Sequence, residues 1–263
     1  MTGTTTLERL LRRDRAVVVA GLVGVILLSW AYLLLGAGMP MDPMSMGEAM
    51  AGMAPMAWSP SYALLMVVMW AVMMAAMMLP SAAPMILLFA AIDRKRRQGG
   101  SPYGRTWAFA LGYVVVWLGF SLVAAALQWQ LERVALLSPM MASTSAVFGG
   151  VVLLAVGFYQ LTPLKQACLK HCRSPLDFIL HHWRAGMGGA TAMGLAHGAY
   201  CLGCCWMLMA LLFVGGVMNL LWIAAIAAFV LVEKTAPAGH WLGHAAGLVL
   251  IVWGGATIAS ALP

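Results

Sequence analysis

Residues 59–92 read SPSYALLMVVMWAVMMAAMMLPSAAPMILLFAAI, 34 positions without one charged side chain. A hydrocarbon core of about 30 Å is crossed by about 20 helical residues, so this run overfills a single crossing and has to tilt, kink or protrude. Helix is the conformation open to it, because lipid offers no partners to the peptide groups of a lone strand. Pro80 and Pro84 each remove a backbone donor and predict a kink at or below the middle of the run. Six further apolar runs surround it, over residues 16–36, 107–128, 143–161, 190–214, 220–232 and 241–262. The expected fold is all-α, a polytopic membrane helix bundle of about seven transmembrane helices. Residues 1–15 read as a basic cytoplasmic N-terminus. Residues 16–262 read as one helical domain, with an outer loop over 37–58 and a cytoplasmic connector over 162–189.

The composition agrees. Of 263 residues 63% are hydrophobic and 9% charged, which excludes an ordinary soluble enzyme and a disordered chain. The net charge of +7 is an orientation signal, not a nucleic-acid footprint, and no nucleic-acid partner is expected. Arg9, Arg12, Arg13 and Arg15 precede the first run, which lacks a small-residue cleavage site and reads as a retained helix. Seven crossings then place Arg94, Lys95, Arg96, Arg97, Arg105, Lys165, Lys170, Arg173, Arg184 and Lys234 on the same cytoplasmic side, leaving Arg133 outside. The chain is N-in and C-out on this count. Its weak point is the short sixth run, which follows Gly215-Gly216 and ends at Glu233-Lys234; as a re-entrant segment it would put Lys234 outside. No P-loop, Gly-rich dinucleotide motif, Ser/His/Asp pattern or phosphorylation-linked ATPase motif is present.

Methionine is unevenly spread. Seven of 22 fall in the outer loop, at Met39, Met41, Met44, Met46, Met50, Met53 and Met56, beside Asp42 and Glu48. Thioethers are soft, neutral ligands suited to Cu(I), so this loop is a candidate for metal capture; a floppy loop resting on the membrane is the plainer alternative. Within the second run Met66, Met69, Met73 and Met77 fall in an arc of roughly 80° at 100° per residue. That stripe can pass Cu(I) between sulfur sites, or simply fill gaps in helix packing.

The most specific constellation is His197-Gly-Ala-Tyr-Cys201-Leu-Gly-Cys204-Cys205 in the fifth run. One imidazole and three thiols fit an arc of roughly 100°, a soft-metal ligand set in mid-membrane. Gly198 and Gly203 permit close approach by another helix. Ligands on one straight helix cannot enclose an ion, so a second helix has to contribute, and Met69, Met73 and Met77 are the candidates. A second set, Cys168-Leu-Lys-His171-Cys172, lies in the connector; Lys165, Lys170 and Arg173 around it predict lowered thiol pKa values and a place to receive a soft ion. His181-His182 sit in an amphipathic stretch, and His240 and His244 share a face near Glu233.

Three stretches, residues 69–85, 159–175 and 194–209, together with the EK-x-x-P over 233–237, resemble a bacterial domain-of-unknown-function family described as predicted metal-binding integral membrane proteins. The resemblance covers residues 59–262, and its HGxxCLGCCW motif falls on His197, Cys201, Cys204 and Cys205. It implies metal binding in a bacterial inner membrane and leaves the outer methionine loop outside the shared pattern. The expected function is capture, transport or delivery of Cu(I), in cuproenzyme assembly or copper homeostasis, with a copper chaperone or a membrane cuproenzyme as partner in the lipid bilayer. The alternatives are a copper-dependent membrane oxidoreductase or monooxygenase, or a subunit of one, and a scaffold held by zinc or by no metal.

Overall fold

The computed structural model describes residues 6–37, 58–96, 103–138 and 141–262, with side chains from residue 16. These residues form ten helices: α1 Thr6–Leu34, α2 Pro60–Arg96, α3 Tyr103–Arg133, α4 Ala146–Gln160, α5 Pro163–Arg173, α6 Pro175–His182, α7 Gly186–Ala210, α8 Leu212–Gly215, α9 Leu220–Thr235 and α10 Gly239–Ala259. Among the described residues there is no strand beyond an isolated bridge between Leu137 and Ser143. The chain is an all-α polytopic bundle.

Five stretches are long and apolar enough to cross a membrane: residues 16–34, 60–96, 103–133, 186–215 and 239–259. The pair α4 and α5, bent by 63°, makes a sixth if taken as one broken span. This is fewer than the seven expected, and the local chemistry says why. Asn219 caps α9 by accepting from the Trp222 N–H, and the helix ends before Ala236-Pro237. Its 16 residues reach about 24 Å, short of a full crossing. α4 stops at Gln160, and Thr162 caps the start of α5 with Pro163 in the first turn.

α2 runs through Pro80 and Pro84 as one helix. Just before the first proline, the Met78 carbonyl accepts from the Ser81 hydroxyl and from the Tyr113 hydroxyl of α3, at 2.9 and 3.2 Å. Glycine sets the two closest helix crossings. α3 meets α7 where Gly112 lies against the backbone of Thr191 and Gly194 against that of Phe109; neither position has room for a Cβ. α4 meets α10 in the same manner, with Gly150 and Gly157 facing Gly254 and Gly247. Such small-residue seams let van der Waals packing hold helices together where no hydrophobic effect acts between them.

One charged pair is enclosed by this packing. Lys165 at the start of α5 bonds Glu233 at the end of α9 and the amide oxygen of Gln160, and both charged side chains are fully buried. Gly243 of α10 faces the Glu233 carboxylate, and Gly239 faces the Glu233 carbonyl and Arg173. The missing Cβ atoms on α10 make room for the ion pair.

Candidate metal centre

α7 carries Cys201, Cys204 and Cys205, all buried. The Cys204 and Cys205 thiols donate back to the Cys201 carbonyl at 3.1 and 2.9 Å, which fixes both sulfurs against their own helix. α5 lies along α7 because Gly203 offers no side chain: a Cβ there would come within 2.7 Å of the Cys168 sulfur. This contact brings the two cysteine sets of the sequence together, with Cys172 Sγ 3.9 Å from Cys204 Sγ. From the other side α2 presents Met78, whose Sδ lies 3.9 Å from Cys205 Sγ.

The third cysteine has different company. Cys201 Sγ lies 2.9 Å from the Lys234 ammonium of α9 and 3.1 Å from the Tyr113 hydroxyl of α3. Lys234 Nζ also reaches Ser81 Oγ at 3.2 Å. A cation inside an apolar bundle requires a partner, and as a thiolate–ammonium pair the Cys201–Lys234 contact is a charge-assisted hydrogen bond. Five helices thus converge on one sulfur nest whose positive charge comes from lysine.

The level of the nest follows from α3. Trp107 and Trp129 stand about 33 Å apart along the helix, the spacing of two aromatic belts, and Tyr113 is about 9 Å from the Trp107 end. Tyr113, and with it the Cys201 contact, lies nearer the end of α3 that carries Arg105.

A family model described as PpoB2, copper chaperone, matches residues 67–257, most of the chain. The chain belongs to the PpoB2 copper chaperone family. The match contains every residue of the nest from Met78 to Lys234 and leaves out the loop over residues 37–58. No curated protein and no solved structure matches. Membership supports a copper-related function and bears out the expected metal in its coarse form; the family's name says nothing of which residues hold it.

The remaining predicted ligands fall in different places. Met69, Met73 and Met77 are buried in the core of α2, while Met78, outside the predicted stripe, is the methionine in contact with a thiol. Met66, at the top of the stripe, has its sulfur 3.5 Å from the Gln128 amide nitrogen. Met44 and Met46 lie outside the described residues. His197 is packed among rings, with Phe109 and Tyr113 stacked on it at 6.1 and 5.6 Å and Phe178 edge-on at 5.5 Å. Its buried Nδ1 has no hydrogen-bond partner. His171 lies flat on Tyr200. Two of the three cations expected to activate Cys168 and Cys172 are engaged elsewhere: Lys165 by Glu233, and Arg173 by the carbonyls of Ala236 and Pro237 at 2.7 and 2.6 Å.

Among the described residues no three His, Cys, Asp or Glu side chains are grouped to hold a metal ion. The sulfur contacts instead come in pairs. With metal–sulfur bonds of about 2.3 Å, a separation of 3.9 Å corresponds to an angle of about 115° at a shared ion, between the tetrahedral and trigonal values. Lys234, Tyr113, Ser81 and Met78 are the site residues that the sequence reading missed. Lys234 had been counted as one more inside charge. The signal available was the doublet Glu233-Lys234 closing an apolar helix: adjacent helical residues diverge by 100°, so the two must face two different neighbours.

Proposed function

We propose that the sulfur nest between α2, α5 and α7 takes up Cu(I) as cargo and gives it to a copper chaperone or to a membrane cuproenzyme under assembly, in the inner membrane of a bacterium. The observation that carries this reading is the convergence of Cys172 on Cys204 and of Met78 on Cys205, both at 3.9 Å, around a position already held by a cation at Cys201. Soft thiolate and thioether donors select Cu(I), and its low coordination numbers suit sulfur pairs better than they suit the tetrahedral shell of zinc. Lys234 acts as a placeholder: its ammonium supplies the positive charge until the ion arrives, and on arrival it gives up a proton and leaves Cys201 to the ion. A centre that gives its ion away benefits from such a competitor. In this reading the outer loop, with Met44 and Met46, captures copper, and Met66, Met69, Met73 and Met77 lead inward to Met78. Cys168 is a flanking ligand on the exit side, and His197 is a shape-fixing neighbour of Tyr113.

The test is copper content of the full-length protein purified in detergent after anaerobic loading with Cu(I). The variant Cys201→Ser/Cys204→Ser is expected to lose the sulfur-bound copper seen in the parent. Unchanged copper and an unchanged sulfur signature in X-ray absorption would refute the nest as the binding place.

A further inference from the structure

Beside the thiols, where α5, α6 and α7 meet, stand two histidines that the reading above does not use. The ring of His171, on α5, and that of His182, the last residue of α6, have centroids 6.2 Å apart and planes at 78°. Aromatic partners hold each ring. His171 lies on Tyr200 at 4.1 Å with 2° between planes, and His182 lies on Phe178 at 4.7 Å with 12°. The nitrogens are sorted as well. Nδ1 of His171 is 2.9 Å from the Ala167 carbonyl, and Nδ1 of His182 is 3.1 Å from the Phe178 carbonyl. A carbonyl only accepts, so each Nδ1 carries the proton and each Nε2 keeps its lone pair. This is the arrangement by which metal-ligating histidines have their tautomer and orientation fixed.

The spacing fits one shared ion. Two imidazoles bound end to end through bonds of about 2 Å, each ring adding about 1 Å from nitrogen to centroid, have centroids about 6 Å apart. His181 shares the Nδ1 contact to the carbonyl four residues back, at 2.9 Å, but its Nδ1 also meets the Asp177 carboxylate at 3.2 Å and its ring does not join the stack of His171, His182, Phe178 and Tyr200. Both His171 and His182 are half-exposed, and His171 is followed directly by Cys172 of the nest.

We propose that His171 and His182 form a two-coordinate Cu(I) site, a station next to the thiols where the ion is exchanged with an acceptor. Two neutral nitrogens suffice for Cu(I), and imidazole is among its accepted ligands. Two ligands leave the shell open, so an incoming thiolate or thioether of the acceptor can join before the histidines let go. Zinc needs four ligands in a structural site, and among the described residues no third His, Cys, Asp or Glu joins this pair. The inference rests on the copper reading, but its ligands are nitrogen where those of the nest are sulfur, and the two are separable.

The experiment uses full-length protein in detergent, loaded anaerobically with Cu(I), with copper stoichiometry and copper-edge X-ray absorption as readouts. His171→Phe and His182→Phe are the variants of choice, since they remove the nitrogen and keep the stack on Tyr200 or Phe178. Each is expected to lose one copper equivalent together with the imidazole scattering, while His181→Phe keeps both. Cys201→Ser/Cys204→Ser is expected to lose sulfur scattering and retain the imidazole signal. Imidazole scattering that persists in His171→Phe and His182→Phe overturns the proposal, and so does an equal loss in His181→Phe. Retention of sulfur-bound copper in the double serine variant would instead sink the nest, leaving the histidine pair to be judged by its own signal.

Discussion

The buried pair Lys165–Glu233 is a place where a single polar substitution should be costly. Both side chains are inaccessible, and Lys165 has Gln160 and Glu233 as its hydrogen-bond partners. Glu233→Ala leaves an ammonium enclosed with one amide oxygen; removing one partner of a buried pair typically costs about 3–5 kcal/mol. At about 1.4 kcal/mol per tenfold change, that is between two and four powers of ten in the folded-to-unfolded ratio. The double variant Lys165→Met/Glu233→Met removes both charges and should recover most of the loss, because an apolar pair of similar volume is close to neutral in such a setting. Gly243→Ala approaches the same pair from α10 by pushing a methyl at the Glu233 carboxylate. The assay is reversible denaturant unfolding of the purified protein in mixed micelles, run as a double-mutant cycle. Copper binding is followed in parallel, because Glu233 lies next to Lys234 on α9. A single-variant loss below about 1 kcal/mol, or a double variant no better than the singles, would refute the reasoning.

Mild oxidation of the copper-free protein should form a disulfide between Cys172 and Cys204, whose sulfurs are 3.9 Å apart, and prior Cu(I) loading should protect both; peptide mapping by mass spectrometry reads the outcome. Met78→Leu should weaken Cu(I) retention against a competing chelator, whereas Met85→Leu, a volume-conserving change in the core, should leave it within error. Gly194→Ala should abolish folded protein, since the new methyl meets the Phe109 backbone and no flexible side chain can yield; size-exclusion chromatography after extraction checks it. Zn(II) should bind the nest far more weakly than Cu(I), measured by competition with chelators of known affinity.

How much of this was legible beforehand depends on the kind of information. Apolar runs marked the long helices, because a span announces itself by composition over some twenty residues. Their number was less secure: α9 and α4 end where single capping and breaking residues stand, at Asn219, Thr162 and Pro163, and the apolar run does not encode these stops. The thiol cluster on α7 was legible as a one-helix pattern. Its partners were not, since which methionine of α2 meets Cys205 depends on how α2 and α7 cross, and Met78 stands about 100° from Met77 on the helix. The docking of α5 on α7 was foreshadowed by Gly203, read as a place of close approach without a named visitor. The setting of His197 was not legible: the same residue type serves as a ligand or as a ring in an aromatic stack, and its neighbours, Phe109, Tyr113 and Phe178, come from other helices.

If the nest holds copper as proposed, charge explains why a lysine, of all residues, sits in it and why zinc should be refused. In a low-dielectric interior the net charge of a site matters more than the count of its ligands, because an unbalanced unit charge there costs several kcal/mol. With Cys201 as a thiolate, Lys234 balances its charge. When Lys234 gives up one proton as Cu(I) arrives, one positive charge replaces another and the balance is unchanged, so entry and departure are both cheap. Zn(II) brings a second positive charge, which demands either a further thiolate or an unbalanced site. It also asks for a tetrahedral shell that the sulfur pairs do not supply. If the nest nonetheless bound Zn(II) as tightly as Cu(I), charge matching by Lys234 could not be what makes it selective, and the ammonium at Cys201 would be a structural contact alone.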